Sequence, residues 1–539
     1  MNKGLKKYTK QLQFETGLVK TYINPNKNDS NLHINIPLID MDEPCPLSLS
    51  LIYDKLNADT TSIFGKGFKL NTYANIAEKT GIITVTNADG STDDYVNYAN
   101  IEKYKNGETG MTISRETATS EYGTLIKGYI MEDLQGNKIK YPTSSHYPST
   151  ITMKSGASFD LDFVSSPIKL TNNLNEVIKL YKTGQFVTEV TYKDKTILIT
   201  YDTNGRIHSI SYKRGTTEFG YIVLFLDNAC IEISDYYNMK SISVNFDANG
   251  RPDEIRETIL DCDTENLTTI QYFDKESIVE DYLGRVTKIV FDEDDYLEYV
   301  VNDEGVVNAT EYSHLSKKVV YQSTNIDCIH KLPSLINSDS IDFLNLSGAT
   351  VTEVSLPEDN FYKNIIGSSL RRVVTSSELA SGSVSIPVRG LAGESFTVVL
   401  WGRCIQESSS PCELSVSVRG GVTSYLANRR VKLRTDGLFN FVSTGFTASE
   451  SFSEMTMFLD ISGNCTVEIG GIQIIKKQFG TEYDYDEKGN LTSVTQNGNK
   501  STISYSDNSN MPTESVDSNR LVYSCEYDDK GNVIKNQGS

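Results

Sequence analysis

The sequence is poor in positive charge and in long apolar runs. Its 539 residues carry 51 Lys and Arg against 71 Asp and Glu, a formal net charge of −20. Nucleic acid is therefore not expected as a partner, because phosphate binding needs concentrated basic side chains. The acidity is typical of a solvated surface. No run is apolar enough to span a membrane, and the basic start, 1–7, leads into polar residues, so no Sec signal peptide is predicted.

Catalytic and metal-binding patterns are also lacking. The eight cysteines include no C-x-x-C pair, and no histidine lies at zinc-finger spacing, which disfavours a zinc site. None of the five histidines has the partners of a recognisable hydrolase motif, and no nucleophile elbow or phosphate loop is present. Cys404 and Cys412 could face each other across a hairpin, but isolated buried thiols are our expectation. The sequence thus predicts no enzyme and no cofactor.

What is abundant favours β-structure. The chain has 31 Tyr and one Trp, and Thr, Ser, Val and Ile are frequent, which suits a pleated surface. Its length predicts about three or four domains of ~100–200 residues each. We therefore expect an all-β protein.

A short aromatic phrase recurs at a spacing of roughly 21 residues or twice that. Clear copies occupy 201–207, 246–251, 485–491 and 527–533, and degenerate copies lie at 181–185, 281–286 and 302–306. Each clear copy ends a strand on an aromatic, turns through Asp and Gly and starts a second strand, which is hairpin chemistry. The predicted structural turn residues are Tyr201, Asp202, Gly205, Phe246, Asp247, Gly250, Tyr282, Gly284, Tyr485, Asp486, Gly489, Tyr527, Asp528 and Gly531.

The phrase disappears for about 150 residues and then resumes, which divides the chain. Within the interruption, six or more short strands with polar connections predict a β-sandwich inserted into the repeats. The predicted segments are an N-terminal extension (1–45), a β region (46–150), repeats (151–330), the sandwich (335–477) and further repeats (478–539). The sequence leaves open whether the two repeat blocks join in one sheet.

The phrases at 201–207 and 485–491 resemble the Tyr-Asp-x-x-Gly signature of bacterial Rhs or YD-repeat proteins, over 150–325 and 478–539. Leu47–Tyr53 with the following Gly65-Lys66-Gly67-Phe68 is similar to their opening segment, although Phe68 replaces the usual Trp. The resemblance implies a spiralling antiparallel β-sheet that in complete members encloses a C-terminal toxin or effector. Because the sequence shows neither an effector nor the aspartate-rich self-cleavage segment, we expect an open or partial shell.

The insert resembles galactose-binding-like, jelly-roll carbohydrate-binding modules, chiefly in 467–474 and its junction with 480–483. Trp401 lies in an apolar run, so it is interpreted either as a core residue or as a sugar-stacking platform aided by Arg403, Tyr425 and Arg429. The resemblance also makes a structural calcium conceivable. Its oxygen ligands would be Glu358, Asp359 and Asp460, but these residues lack a fixed ligand spacing, and our preferred interpretation is that they are solvated surface acids.

Our leading prediction is a non-enzymatic bacterial YD-repeat scaffold that presents a carbohydrate-binding-like module to a glycan or another cell. This implies an extracellular or cell-surface location with an export route that the sequence does not identify. One alternative is the N-terminal fragment of a polymorphic-toxin shell, with further repeats or an effector beyond the C-terminus. Another is a phage-tail-type adhesin or a glycan-acting enzyme, which would need two converging carboxylates, one with a raised pKa.

Overall fold

A computed structural model shows a protein built almost entirely of antiparallel β-strands. It describes residues 11–28, 30–41, 46–97, 103–106, 111–120, 123–133, 136–262, 264–312, 319–328, 346–367, 369–407, 411–420, 424–477, 480–486, 490–496, 499–506, 512–527 and 533–538. Within these ranges, no helix has the length and apolar character needed to cross a membrane.

The first sheet has five strands in the order β1-β2-β3-β4-β7, and a two-stranded hairpin, β5-β6, lies beside it. The bounds are β1 (Leu12–Glu15), β2 (Lys20–Ile23), β3 (Leu32–Met41), β4 (Leu47–Asp54), β5 (Thr61–Ser62), β6 (Gly65–Lys66) and β7 (Phe68–Leu70), with a 3-10 turn at Lys55–Asn57. Leu47, Leu49 and Leu51 are buried and alternate with serines, so one face of β4 enters the core. Since β3 pairs with β4, this sheet crosses the boundary predicted at residue 45.

A long antiparallel sheet follows, and its strands pair successively in chain order. They are β8 (Ala74–Lys79), β9 (Ile82–Asn87), β10 (Thr92–Asn97), β11 (Lys103–Lys105), β12 (Thr112–Ser120), β13 (Gly123–Glu132), β14 (Lys138–Pro142), β15 (Thr150–Thr152), β16 (Ser158–Asp162), β17 (Ile168–Asn172), β18 (Val177–Thr183), β19 (Phe186–Tyr192), β20 (Lys195–Tyr201), β21 (Ile207–Arg214), β22 (Thr217–Leu226), β23 (Cys230–Asp235), β24 (Lys240–Phe246), β25 (Pro252–Ile259), β26 (Thr264–Tyr272), β27 (Glu276–Glu280), β28 (Val286–Phe291), β29 (Leu297–Asn302), β30 (Val306–Tyr312) and β31 (Val319–Asp327). We call this the repeat sheet. Most of its buried apolar side chains between Ile151 and Val300 form one core with the first sheet.

A β-sandwich then interrupts the repeat sheet. It contains β32 (Ala349–Ser355), β33 (Ser369–Thr375), β34 (Leu379–Ile386), β35 (Ser395–Glu407), β36 (Glu413–Gly420), β37 (Ser424–Lys432), β38 (Asn440–Thr447), β39 (Met455–Ser462) and β40 (Cys465–Ile475), with a short helix α1 (Lys363–Ile366). Sheet I has the order β32-β33-β40-β35-β38, and sheet II has the order β34-β39-β36-β37. Their facing side chains form a separate apolar core.

The repeat sheet resumes beyond the sandwich. Its last strands are β41 (Gly480–Tyr485), β42 (Leu491–Gln496), β43 (Asn499–Tyr505), β44 (Pro512–Val516), β45 (Val522–Tyr527) and β46 (Val533–Gly538). Tyr321 of β31 pairs with Glu482 of β41, so the repeat strands on both sides of the sandwich belong to one sheet. The predicted all-β class, with a large antiparallel sheet and an inserted sandwich, is confirmed.

The clear repeat copies that the structure describes share an aspartate whose side chain accepts hydrogen bonds from the backbone of its own turn. Asp202 Oδ1 accepts hydrogen bonds from the backbone N–H of Asn204 at 2.8 Å and of Arg206 at 2.9 Å, and Gly205 has a φ of +77°. Asp247 makes the same pair of bonds, and the following Gly250 has the same φ. The Asp side chain satisfies turn donors while Gly supplies the left-handed backbone, as the sequence indicates.

The repeat tyrosine links neighbouring strands. The register shifts at Tyr201, Tyr485 and Tyr527, which marks a β-bulge just before each turn. Their hydroxyls donate to the carbonyl oxygens of Val187 at 2.6 Å, Val319 at 3.0 Å and Pro512 at 2.6 Å, respectively. Each repeat is thereby pinned to a strand that precedes it in the chain.

One predicted repeat residue differs, because Tyr282 follows the turn aspartate Asp281 instead of ending a strand. Its side chain is exposed, and β27 ends at Glu280. The glycine of that copy, Gly284, does take the left-handed conformation, with a φ of +74°. Gly489, Asp528 and Gly531 lie outside the described residues.

Candidate functional site

Trp401, the predicted sugar platform, lies in the interior. Its ring is 0% exposed and packs edge-on against Tyr299 at 5.4 Å, Tyr362 at 5.6 Å and Phe441 at 4.9 Å between centroids. Tyr299 belongs to the repeat sheet, whereas the others belong to the sandwich. A ring without exposed surface cannot stack on a sugar, so the core interpretation of Trp401 is correct and the platform interpretation is wrong.

Arg403, two residues further along β35, is held by ionic contacts. Its Nε and one terminal nitrogen donate to Glu468 Oε2 at 2.9 and 2.7 Å, and its guanidinium lies 4.4 Å from the ring centroid of Phe439. Glu468 is buried and also accepts from Arg372. A buried carboxylate needs such partners. Arg403 therefore neutralises Glu468, and it also donates to the carbonyl oxygen of Gly437 at 2.9 Å.

Arg429 is directed at the repeat sheet. It forms an ion pair with Glu311, and its guanidinium lies 4.6 Å from the ring centroid of Tyr321. Burial lowers the pKa of Arg429 to about 10, against the opposing charge of Glu482. The side chain of Tyr425 lies outside the described part. Among the side chains that can be placed, the predicted set of four therefore does not form one site.

The outer face of sheet I is covered by the repeat sheet. Arg434 donates to Glu298 Oε2 at 2.5 Å, and Asn440 donates to the other oxygen of the same carboxylate at 2.8 Å. Gln473 Nε2 donates to the carbonyl oxygen of Cys328 at 2.9 Å. Burial raises the pKa of Glu298, and Arg434 opposes that shift. Apolar side chains of both partners form one buried cluster around Trp401. This face is thus an internal interface.

The outer face of sheet II has a different composition, and we call it the polar face. Phe458 of β39 stands opposite Ser383 of β34 on one side and Ser417 of β36 on the other. Ser417 is in turn opposite Asn428 of β37. A parallel row carries Asp460, flanked by serines. The face as a whole comprises Leu379, Ser381, Ser383, Ser385, Glu413, Ser415, Ser417, Arg419, Asn428, Arg430, Lys432, Thr456, Phe458, Asp460 and Ser462. Leu379 is exposed at one edge of the face, and Ser417 is buried within it.

Hydrogen bonds order several of these polar groups. Ser417 Oγ and Ser415 Oγ lie 3.3 and 3.4 Å from Asn428 Oδ1, and Ser462 Oγ lies 3.5 Å from Glu413 Oε2. Asn428 is exposed, and Phe458 is half-buried. A half-buried ring framed by hydroxyl, amide and carboxylate groups offers both apolar contact and directed hydrogen bonds. The polar face is therefore the candidate functional site.

Sequence reasoning missed this face, although a signal was present. In β39 the buried residues Met455, Met457, Leu459 and Ile461 alternate with Thr456, Phe458, Asp460 and Ser462. That period of two assigns Phe458 to the polar side of the strand. The serines of β34 and β36 alternate in the same way. Phe458 is thus an aromatic residue in an otherwise polar row.

The three acids considered as calcium ligands do not form a metal site. Glu358 Oε1 forms an ion pair with Lys363, and its side chain is almost fully exposed, whereas Asp460 lies on the polar face. Within the described ranges, no group of three or more His, Cys, Asp or Glu side chains could hold a metal ion. The alternative ligand set of Glu358, Asp359 and Asp460 is wrong.

Comparison with known proteins leaves the family open. No family model matches the chain, and no curated protein matches it. Partial similarity is found to the solved structure of TmCBM61 in complex with β-1,4-galactotriose, at 10% identity over 25% of this chain and 90% of that one. The CBM22-1 xylan-binding domain of Paenibacillus barcinonensis Xyn10C shows 14% identity over 24% and 84%. A bacteriophage CBA120 tailspike shows 12% over 26% and 21%. All three TM-scores are 0.20, too low to carry an argument.

Proposed function

We propose that this protein binds a carbohydrate, without catalysis, on the polar face of its sandwich. The observation that carries the proposal is the position of Phe458, a half-buried aromatic in a row with Ser383, Ser417 and Asn428. A pyranose ring has one apolar face and a rim of hydroxyls, so it matches a ring bordered by short hydrogen-bonding side chains. Serine and asparagine can both donate to and accept from such hydroxyls.

The arrangement of the two sheets supports the choice of this face. Sheet I is occupied by its interface with the repeat sheet, through contacts such as Asn440 with Glu298 and Gln473 with Cys328. That interface holds the sandwich in a fixed orientation. Sheet II faces solvent, because its residues Ser383 and Asn428 are exposed. A preorganised site loses less entropy on binding than a mobile one. The repeat sheet thus acts as the scaffold that presents the module.

The finer role follows from the repeat resemblance. We propose a YD-repeat scaffold of the Rhs type, displayed outside a bacterial cell for contact with a glycan or another cell surface. The support is the repeating hairpin itself, in which Asp202 and Asp247 close equivalent turns and Tyr201, Tyr485 and Tyr527 pin successive strands. A regular scaffold of this kind suits display, because its parts are rigid and repeated.

A glycan array probed with the full-length protein tests the binding proposal. Saturable binding to one class of glycan is expected, followed by at least about tenfold weaker binding of Phe458→Ala, which corresponds to about 1.4 kcal/mol. Tyr282→Ala is the matched control, because it removes an exposed aromatic from a repeat turn. Equal loss in both variants, retention of binding by Phe458→Ala, or absence of binding by the parent protein would each contradict the proposal.

A further inference from the structure

Two cysteines of the sandwich bring their sulfur atoms unusually close together. Cys412 and Cys465 are both buried, and their Sγ atoms lie 2.7 Å apart. Other contacts of cysteine sulfur are longer, such as 3.4 Å from Cys465 to the carbonyl oxygen of Gly463 and 3.5 Å from Cys230 to Ser243 Oγ. A disulfide bond has a length of about 2.03–2.05 Å. The two sulfurs therefore need to approach by only about 0.7 Å to reach bonding distance.

The local backbone holds these two residues against each other. Gly463 has a φ of +100°, and a Cβ atom there would lie 3.0 Å from the carbonyl oxygen of Pro411, so glycine permits the close approach of the two segments. The backbone N–H of Cys465 donates to Thr375 Oγ1 at 2.8 Å. On the other side, the N–H of Leu433 donates to the carbonyl oxygen of Cys412 at 2.8 Å. Hydrogen bonds of their backbone groups with neighbouring segments therefore hold both cysteines in position.

We propose that Cys412 and Cys465 form a disulfide bond that joins sheet II to sheet I. Cys412 immediately precedes β36, and Cys465 is the first residue of β40, so the bond would link the two layers of the sandwich at one end. Each thiol loses a proton, one S–S bond forms, and the two electrons reduce a disulfide-bearing oxidant, such as glutathione disulfide or a disulfide oxidoreductase. This bond requires an oxidising compartment, which agrees with the proposed location outside the cell.

The bond should form while the chain folds rather than afterwards. The neighbouring Cys465 thiol and burial both raise the pKa of the Cys412 thiol, which suppresses the thiolate that attacks a disulfide. Burial of both residues also keeps an oxidant away from the folded pair. For the same reasons, the completed bond should resist reductants under native conditions.

Cys404 is the competing partner. It is buried, and its thiol also raises the pKa of Cys412. From the sequence we expected isolated buried thiols, with a pairing of Cys404 and Cys412 as the alternative. Cys465 is the partner in the proposed bond, because its Sγ lies 2.7 Å from that of Cys412. It also raises the pKa of the Cys412 thiol more than Cys404 does. Cys404 and Cys412 both lie on the sandwich and are only eight residues apart in the chain. A test must therefore place them on different peptides.

Peptide mapping of the full-length chain provides that test. The protein is refolded with glutathione disulfide, denatured without reductant and alkylated, and six of its eight cysteines should react. Digestion uses trypsin with a glutamate-specific protease, because Glu407 separates Cys404 from Cys412. The expected product is a cross-linked pair that contains Cys412 and Cys465, present in Cys404→Ala and absent from Cys465→Ala.

Stability gives an independent readout. The oxidised parent should melt on the order of 5–10 °C above the reduced parent, since a disulfide that closes a long loop restricts the unfolded chain. Cys404→Ala should keep this difference. Alkylation of all eight cysteines after oxidative refolding, or a cross-link that contains Cys404, would overturn the proposal even if Cys465→Ala failed to fold.

Discussion

The hydroxyl oxygen of Tyr299 in the repeat sheet lies 2.9 Å from that of Tyr362 in the sandwich. Tyr299 also donates its proton to the carbonyl oxygen of Phe439 at 2.8 Å, so Tyr362 must be the donor in the pair of hydroxyls. All three residues are buried. This chain of hydrogen bonds ties the two parts of the protein together in an otherwise apolar cluster.

Replacing Tyr299 by Phe should weaken this junction. The change leaves the Phe439 carbonyl oxygen and the Tyr362 hydroxyl without their buried partner, which should lower the free energy of unfolding by about 1–3 kcal/mol. Denaturant unfolding monitored by fluorescence measures the loss, because Trp401 lies in the same cluster. Tyr282→Phe is the matched control at an exposed tyrosine and should change stability by less than about 0.5 kcal/mol. Equal effects would refute the role of the junction.

Trp401→Ala should affect stability and spare binding. Truncating this fully buried ring leaves a cavity at the junction and should cost about 3–5 kcal/mol. At a temperature where the variant remains folded, its glycan affinity should match that of the parent. Calorimetry and binding titration on the same sample separate the two effects. Loss of affinity in a fully folded Trp401→Ala sample would restore this residue to the binding site.

The sequence predicted the strands well because their signals are local. Alternating leucines and serines mark β4, and Asp202 with Gly205 marks a hairpin turn, within a few residues of chain. The candidate site was harder to predict from the sequence. Whether Trp401 faces solvent depends on the repeat sheet that covers sheet I, and its ring neighbour Tyr299 is about 100 residues away in sequence. The sequence pattern within β35 therefore cannot predict the contact between Trp401 and Tyr299.

Two turn glycines with the same backbone conformation allow two effects of a Gly→Ala substitution to be separated: the strain of the left-handed backbone and the steric contact of the new Cβ with its neighbours. Gly205 and Gly250 both have a φ of +77°, so Ala at either position should cost roughly 1–2 kcal/mol for the left-handed backbone. A Cβ at Gly205 would lie 3.0 Å from Phe186, whereas nothing lies within 4 Å at Gly250. Gly205→Ala should therefore be less stable than Gly250→Ala by roughly 1 kcal/mol. Thermal unfolding of both variants measures the difference, and an equal loss would mean that Phe186 moves aside freely.

A buried histidine should make stability depend on pH. His33 lies in the first sheet, and its Nε2 is 2.9 Å from Asn31 Nδ2, a donor, so the neutral ring carries its proton on Nδ1. That Nδ1 is buried and has no hydrogen-bond partner among the described residues. Burial lowers the pKa of His33, while the charges of Asp54 and Asp89 oppose the shift.

The sign of the effect follows from this lowered pKa. As the pH falls, the unfolded chain binds a proton at His33 near the ordinary pKa of about 6.5, whereas the folded chain binds it only at a lower pH. The free energy of unfolding should therefore decrease as the pH drops below about 6.5 and level off below the folded pKa. Denaturant unfolding between about pH 7.5 and 5 measures the slope. His33→Gln should flatten it, whereas His208→Gln, at an exposed histidine, should not. Identical slopes in His33→Gln and the parent would show that protonation of His33 is not coupled to folding.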